Sequence, residues 1–191
     1  MSNLYDLILE YIPTCEQEKA DKELILKYLS QFSDLLTREN QMAHFTASGW
    51  VTTADRSRFL MAYHRLYDSW AWLGGHADGE KDLRAVALRE VKEESGIKNV
   101  RAVGEKPISI EILDVAPHQK HGKFVSAHIH LNLTFLFQAD PDQAIFCKPD
   151  ENSAVRWFTA QELEAEVSEP KMLPIYRKLI ARANQNASTS F

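Results

Sequence analysis

The sequence predicts an α+β domain, a mixed β-sheet flanked by helices in an α/β/α sandwich, preceded by an N-terminal helical extension. Three observations lead there. Short β-rich runs recur between residues 45 and 158, helical periodicities stand before, among and after them, and no long βαβ alternation connects them. The 191 residues suit one domain with an appendage: a helical extension over 1–40, the main domain over 41–186 and a tail over 187–191.

Leu4, Ile8 and Ile12 recur every fourth residue, with Leu7 and Tyr11 beside them, so the chain opens on a helix that Pro13 ends. Thr14 and Gln17 have capping-box spacing for a second helix, along which Ile25, Tyr28, Leu29, Phe32, Leu35 and Leu36 fall at helical intervals. This helical hairpin is expected to pack on the main domain; a homodimer contact and a lid over the site are the other readings. Segments 45–52 and 58–64, separated by the polar turn 53–57, read as a β-hairpin. Residues 70–73 are extended and run into Gly74-Gly75. Asp82 is the N-cap of a helix over 83–95, which Gly96 stops. Strands are expected over 108–115, 128–138 and 154–158. Thr159 opens a helix to about residue 166, Pro174 sits in the first turn of a last helix to about 183, and 184–191 reads as a polar, frayed tail.

Composition narrows the function. A hydrophobic fraction of 45% and a charged fraction of 26% are ordinary for a soluble globular chain. The net charge of −5 lacks the basic face that nucleic acid wants. It does not exclude a small phosphate-bearing substrate, because bound divalent cations reverse the local sign. Cys15 and Cys147 have neither metal-ligand spacing nor a disulfide framework, and read as reduced thiols of a cytoplasmic protein. Asp6 and Glu10 interrupt the first apolar stretch without a basic lead, so no signal peptide is expected, and no run approaches the roughly 18 apolar residues of a membrane span.

The chemistry concentrates on the expected helix over 83–95. Steps of three and four residues bring Glu90, Glu93 and Glu94 onto one stripe about 100° wide, beside an apolar stripe of Ala87, Leu88 and Val91. Three carboxylates that close repel one another unless a cation sits among them, and hard cations such as Mg²⁺ prefer such oxygen ligands. A solvated acidic face is the other reading. The preceding Gly74-Gly75 favours the cation, because a tight glycine path can bring a backbone carbonyl toward it.

These residues resemble the signature of the Nudix family, G-x5-E-x7-R-E-U-x-E-E-x-G-U, with U a bulky aliphatic residue. Gly75, Arg89, Glu90, Val91, Glu93, Glu94, Gly96 and Ile97 match at the required spacing. Lys81 departs, standing where the first glutamate belongs, with Glu80 one residue early. The resemblance extends from about residue 45 to 183. It implies a Nudix fold and a metal-dependent hydrolase that cleaves a phosphoanhydride bond in a nucleoside diphosphate linked to another moiety, using Mg²⁺ or Mn²⁺. It further implies Glu93 and Glu94 as metal ligands, Glu90 as ligand or base, the Gly75 carbonyl as a further donor, and Arg89 as a residue that orients Glu90 or a neighbour rather than touching substrate. Family members often add an acid from a loop near the last strand; Glu151 is the candidate, then Asp150, with an ordinary exposed acid the other reading. Lys81 cannot pair with Arg89, so the loop must be braced differently, with Glu80 and Asp78 the candidates. Two other activities fit the resemblance. A non-catalytic nucleotide-binding or regulatory module is disfavoured by the intact Glu90, Glu93 and Glu94. Isopentenyl diphosphate isomerase is disfavoured because Cys15 lies outside the resembling region and Cys147 in a late loop.

Outside the signature, His128, His130, Asn132 and Thr134 alternate with Ile129, Leu131, Leu133 and Phe135, which on a strand gives one polar and one apolar face. The polar face is expected to line the substrate cleft. As zinc ligands, His128 and His130 lack a third partner in the sequence. His76 is placed to shape the glycine loop or approach a phosphate. Arg58, Arg65 and Lys123 are phosphate-contact candidates that also read as solvated charges. Trp50, Tyr63, Trp70 and Trp72 read mainly as core, with room for a base-stacking ring among them.

Overall fold

The computed structural model describes residues 4–120, 122–149 and 152–185. The chain runs α1 (Leu4–Glu10), α2 (Glu16–Gln31), β1 (Ala43–Thr52), β2 (Phe59–His64), β3 (Ser69–Ala71), β4 (Leu73–His76) and α3 (Leu83–Ser95). It continues β5 (Val100–Ala102), β6 (Ser109–Val115), β7 (His118–Lys120), β8 (Lys123–Val125), β9 (His128–Ala139), β10 (Asn152–Phe158), α4 (Ala160–Glu166) and α5 (Leu173–Gln185).

Every residue of β1 is buried, as a strand with partners on both edges and cover on both faces must be. One edge pairs in parallel with β9, from Ala43↔Ile129 to Thr52↔Gln138. The other edge is shared: β4 pairs with Thr46 to Gly49, and β2 meets β1 only at Thr52↔Phe59. Beyond that corner β2 turns away to pair with β10 and β3. β6 and β5 divide the far edge of β9. The result is a curled, mixed sheet of eight strands with β1 and β9 at its centre.

Alternation along those two strands builds both layers. Phe45, Ala47 and Val51 of β1 with Leu131, Leu133, Phe135 and Phe137 of β9 pack into one core with Val86, Ala87 and Val91 of α3, and with Ile8 of α1 and Ile25 of α2. On the opposite face Trp50, Phe59, Met61 and Leu136 pack under Leu163 of α4 and Tyr176 and Leu179 of α5. That second face is apolar only at one end. At the other it carries His44, Thr46 and Ser48 from β1 and His130, Asn132 and Thr134 from β9, and there it approaches the cleft.

Several boundaries depart from expectation. The second helix ends at Gln31 rather than near 36, because Phe32 is extended; Leu35 leaves the helix to enter the core and takes the Phe45 N–H on its carbonyl at 2.7 Å. Thr14 does not cap α2: Cys15 holds the N-cap position without a side-chain bond, and the Thr14 N–H donates to Glu18 Oε2 at 3.0 Å instead. Segments 45–52 and 58–64 form strands that pair antiparallel, as the expected hairpin, only at the base of the turn, Thr52↔Phe59, since each finds longer partners elsewhere. β5 and the β7–β8 ribbon were not expected; each contributes only three residues, too few for a readable period. The helix caps match: Asp82 accepts from the Arg84 and Ala85 N–H groups, Gly96 adopts φ 69°, and Thr159 with Glu162 forms a capping box. The tail beyond residue 185 lies outside the described residues.

Candidate active site

The apolar stripe of α3 docks on the sheet so closely that a Cβ at Gly49 would stand 2.3 Å from Val91 Cγ2. This seat turns the acidic stripe into a cleft of about 790 Å³, lined by Glu90, Glu93 and Glu94, by β4, and by the polar end of the sheet. The three carboxylates are not equivalent. Glu94 is 4% exposed; it accepts from the Gly74 N–H at 3.0 Å and from Asn152 Nδ2 at 3.3 Å. Glu90 is half-buried, and Arg89 donates to its Oε1 from Nη2 at 2.8 Å and from Nε at 3.3 Å. Arg89 also reaches the His76 carbonyl at 3.4 Å, which ties α3 to the end of β4. Glu93 is exposed, 3.9 Å from Arg89 Nε and 4.0 Å from Lys148 Nζ.

Gly75 is where the backbone comes closest: a Cβ there would lie 2.5 Å from the Glu90 carboxyl carbon. A main-chain segment pressed against clustered carboxylates is an oxygen-rich cradle of the kind hard divalent cations occupy. The residues present therefore fit a Mg²⁺ or Mn²⁺ ion.

The loop with the missing glutamate is braced from two sides. Glu80 Oε1 accepts from the Lys81 and Asp82 N–H groups at 2.7 and 2.9 Å. Asp78 takes a bidentate pair from Arg38 at 2.8 and 3.0 Å. The Lys81 side chain is exposed and takes part in neither contact.

The cations facing the cleft are Arg38, Arg89, Lys148 and Lys171; Arg58, Arg65 and Lys123 are exposed and lie away from it. Trp72 and Tyr67 are aromatic rings on its wall, whereas Trp50 is fully buried and stacked on Phe59 and Tyr176. Tyr63 and Trp70 meet edge to face away from the cleft, and Arg156 lies over Trp70. Glu169 adds a further acid to the cleft, and burial raises its carboxyl above the ordinary range. Asp150 and Glu151 lie outside the described residues; Asn152, next in sequence, is the residue that reaches Glu94.

The expected polar face of β9 divides. His130 and Asn132 line the cleft, while Thr134 is fully buried and hydrogen-bonded to Glu111 Oε2 at 3.3 Å and to Asn132. Around His130 stand His76 and His128, which the sequence singled out, and His44, which it did not. Register brings His44 of β1 opposite His130, and His76 of β4 faces Thr46, two residues along. His44, His76 and His128 each place a ring centroid 5.0 Å from that of His130. Burial first, then the neighbouring imidazoles, pushes His130 down to about 2, and burial likewise lowers His44. Both are neutral near pH 7. Nothing in the local spacing marks His44, whose place depends on a pairing 86 residues away in sequence.

The NUDIX domain family model matches residues 42–183. None of the curated proteins matches the chain. Among solved structures, a NUDIX-family hydrolase from Clostridium perfringens superposes with a TM-score of 0.53 at 20% identity, over 72% of this chain and 96% of its own. The dihydroneopterin triphosphate pyrophosphohydrolase of E. coli gives 0.53 at 16% identity, over 72% and 94%. An Ap4A hydrolase from C. elegans gives 0.50 at 17%, over 74% and 98%. At these identities the likeness is one of fold.

Proposed function

The chain belongs to the Nudix family, and from that premise we propose that it is a divalent-metal-dependent pyrophosphohydrolase acting on a nucleoside diphosphate linked to a second moiety. The observation that carries this reading is the convergence of Glu90, Glu93, Glu94 and the Gly75 backbone on one wall of a nucleotide-sized cleft. Glu90, Glu93, Glu94 and the Gly75 carbonyl would hold Mg²⁺ or Mn²⁺, which supplies charge neutralisation at the diphosphate and a more acidic attacking water.

The chain's own groups do the rest. Arg89 fixes the Glu90 carboxylate by two donors to one oxygen. Gly74 and Asn152 fix Glu94, so the buried acid needs no reorganisation when charge builds on a phosphate oxygen. Glu93, exposed toward solvent, is the acid of the three best placed to take a proton from water and pass it out. Lys148 and Lys171 bring positive charge to the cleft wall, suited to the distal phosphate, and Trp72 and Tyr67 offer ring faces or edges to a base or sugar. Two of the similar structures are named as an Ap4A hydrolase and a dihydroneopterin triphosphate pyrophosphohydrolase, which supports a phosphoanhydride substrate without choosing one.

The test is turnover of a panel of nucleotide sugars, dinucleoside polyphosphates, ADP-ribose, coenzyme A and nucleoside triphosphates with Mg²⁺ or Mn²⁺. At least one member should be hydrolysed, with Glu93→Gln and Glu94→Gln slower by on the order of 100-fold or more. No turnover of any member, or undiminished turnover by both variants, sinks the hydrolase reading. Tight binding without turnover would put a nucleotide-binding module in its place.

A further inference from the structure

Beside the cleft stands a second group of potential ligands, chemically unlike the carboxylates of α3. His44, His76 and His130 come from three different strands, and each presents a ring nitrogen within 4.8 Å of the others'. His128 stands beside them, its Nε2 3.2 Å from His130 Nε2. Two imidazole nitrogens bound to one tetrahedral ion at about 2.0–2.1 Å are about 3.3 Å apart. We propose that His44, His76 and His130, with His128 as a fourth imidazole, form a transition-metal site of the Zn²⁺ class, separate from the carboxylate site of α3.

The hydrogen bonds behind the rings prepare them as ligands. His44 Nδ1 lies 3.0 Å from the Asn40 carbonyl and His128 Nδ1 2.8 Å from that of Ser126. A carbonyl only accepts, so each Nδ1 carries the proton and each Nε2 keeps its lone pair. This is the outer-shell arrangement that orients metal-ligating histidines. In His44, which is 4% exposed, the Nε2 atom is buried and has no hydrogen-bond partner among the described residues. A buried acceptor without a donor is rare in folded proteins, and a cation in the midst of the cluster would satisfy it.

Ligand chemistry separates the two sites. Imidazole nitrogen suits Zn²⁺ and its transition-series neighbours, whereas carboxylate and carbonyl oxygen suit Mg²⁺ and Mn²⁺. An ion on the imidazoles would cross-link β1, β4 and β9 and anchor the residue that follows Gly75. His76 and His130 also line the cleft, so the site communicates with bound substrate.

The experiment uses the full-length chain stripped of metal, held in excess Mg²⁺ and titrated with Co²⁺ as a visible stand-in for Zn²⁺. We expect one Co²⁺ per chain, with the strong absorption of four-coordinate nitrogen ligation, displaced by Zn²⁺ and not by further Mg²⁺. His130→Gln and the half-buried His76→Gln should each weaken Co²⁺ binding by more than the roughly 10- to 100-fold that loss of an outer-shell partner costs, and Glu93→Gln should leave it intact. Absence of the four-coordinate spectrum in the parent chain overturns the proposal whatever the variants do. So does a spectrum lost in Glu93→Gln but kept in His76→Gln. The readout is independent of turnover, so failure of the hydrolase reading leaves this test standing.

Discussion

Gly75 sets how close the β4 backbone comes to Glu90, and any side chain there meets the Glu90 carboxylate. A methyl group at that Cα would overlap the Glu90 carboxyl at 2.5 Å, so Gly75→Ala must push the carboxylate or the strand away. Displacements of about 1 Å in a catalytic constellation cost on the order of 100-fold, and kcat/KM of Gly75→Ala should fall by that much while far-UV circular dichroism stays that of the parent. An unchanged kcat/KM would mean that Glu90 tolerates the shift and is not positioned by the backbone. At this scale the sequence was legible where function rests on local spacing. Glu90, Glu93 and Glu94 share one turn of one helix, and helical periodicity alone brings them together. Their differing burial was not legible. Glu94 is covered because Asn152 arrives from a strand 58 residues later, and His44 joins the other histidines only through sheet register.

The N-terminal elements are tied to the domain by charge as well as by apolar packing. Glu18 of α2 is fully buried and accepts from Tyr11 at 2.7 Å, from both terminal nitrogens of Arg182 in α5 at 2.7 and 2.6 Å, and from the Thr14 N–H. Lys178 bridges Glu18 at 3.1 Å and Glu111 at 3.0 Å, and Glu111 reaches Asn132 at 3.2 Å. Burial works to raise the Glu18 carboxyl, but the Arg182 hydrogen bond, with those of Thr14 and Tyr11, outweighs it and holds the group at about 2 against an ordinary 4.5. Because the folded value is the lower one, Glu18 stabilises the fold fully above about 4.5, and that stability drains as pH falls toward 2. Glu18→Gln removes the buried carboxylate that Arg182 and Lys178 share and should cost about 3–5 kcal/mol, read from urea midpoints at pH 7. The penalty should shrink in acid; a pH-independent penalty would remove Glu18 as the group responsible. The helices that end on strong local signals, such as Asp82, Gly96 and the Thr159–Glu162 box, were readable to the residue. α2 was not, because Leu35 and Leu36 keep helical spacing after the backbone has turned extended, and core burial overrides the pattern.

Across the whole molecule a net charge of −5 coexists with a cleft faced by Arg38, Arg89, Lys148 and Lys171. Attraction of an anionic substrate is therefore local and should be screened by salt over about 8–10 Å. Lys148→Glu should raise KM about tenfold with a smaller change in kcat, and added salt should narrow the gap from the parent. A KM unmoved by that reversal would take Lys148 out of the substrate path. The layered sandwich was legible as a class from the mixture of periods, but the strand order was not. The short connection between β1 and β2 suggested a hairpin, and only the complete burial of β1 accounts for its two other neighbours. That central strand has a temporal consequence. Thr46 finds Asn132 86 residues further on, and at a synthesis rate of about 5–20 residues per second β1 leaves the ribosome roughly 4–17 s before its parallel partner exists. For that interval a strand destined for complete burial lacks the one neighbour that pairs along its whole length, so the nascent chain is at its most adhesive after α3 has been made and before β9 exists.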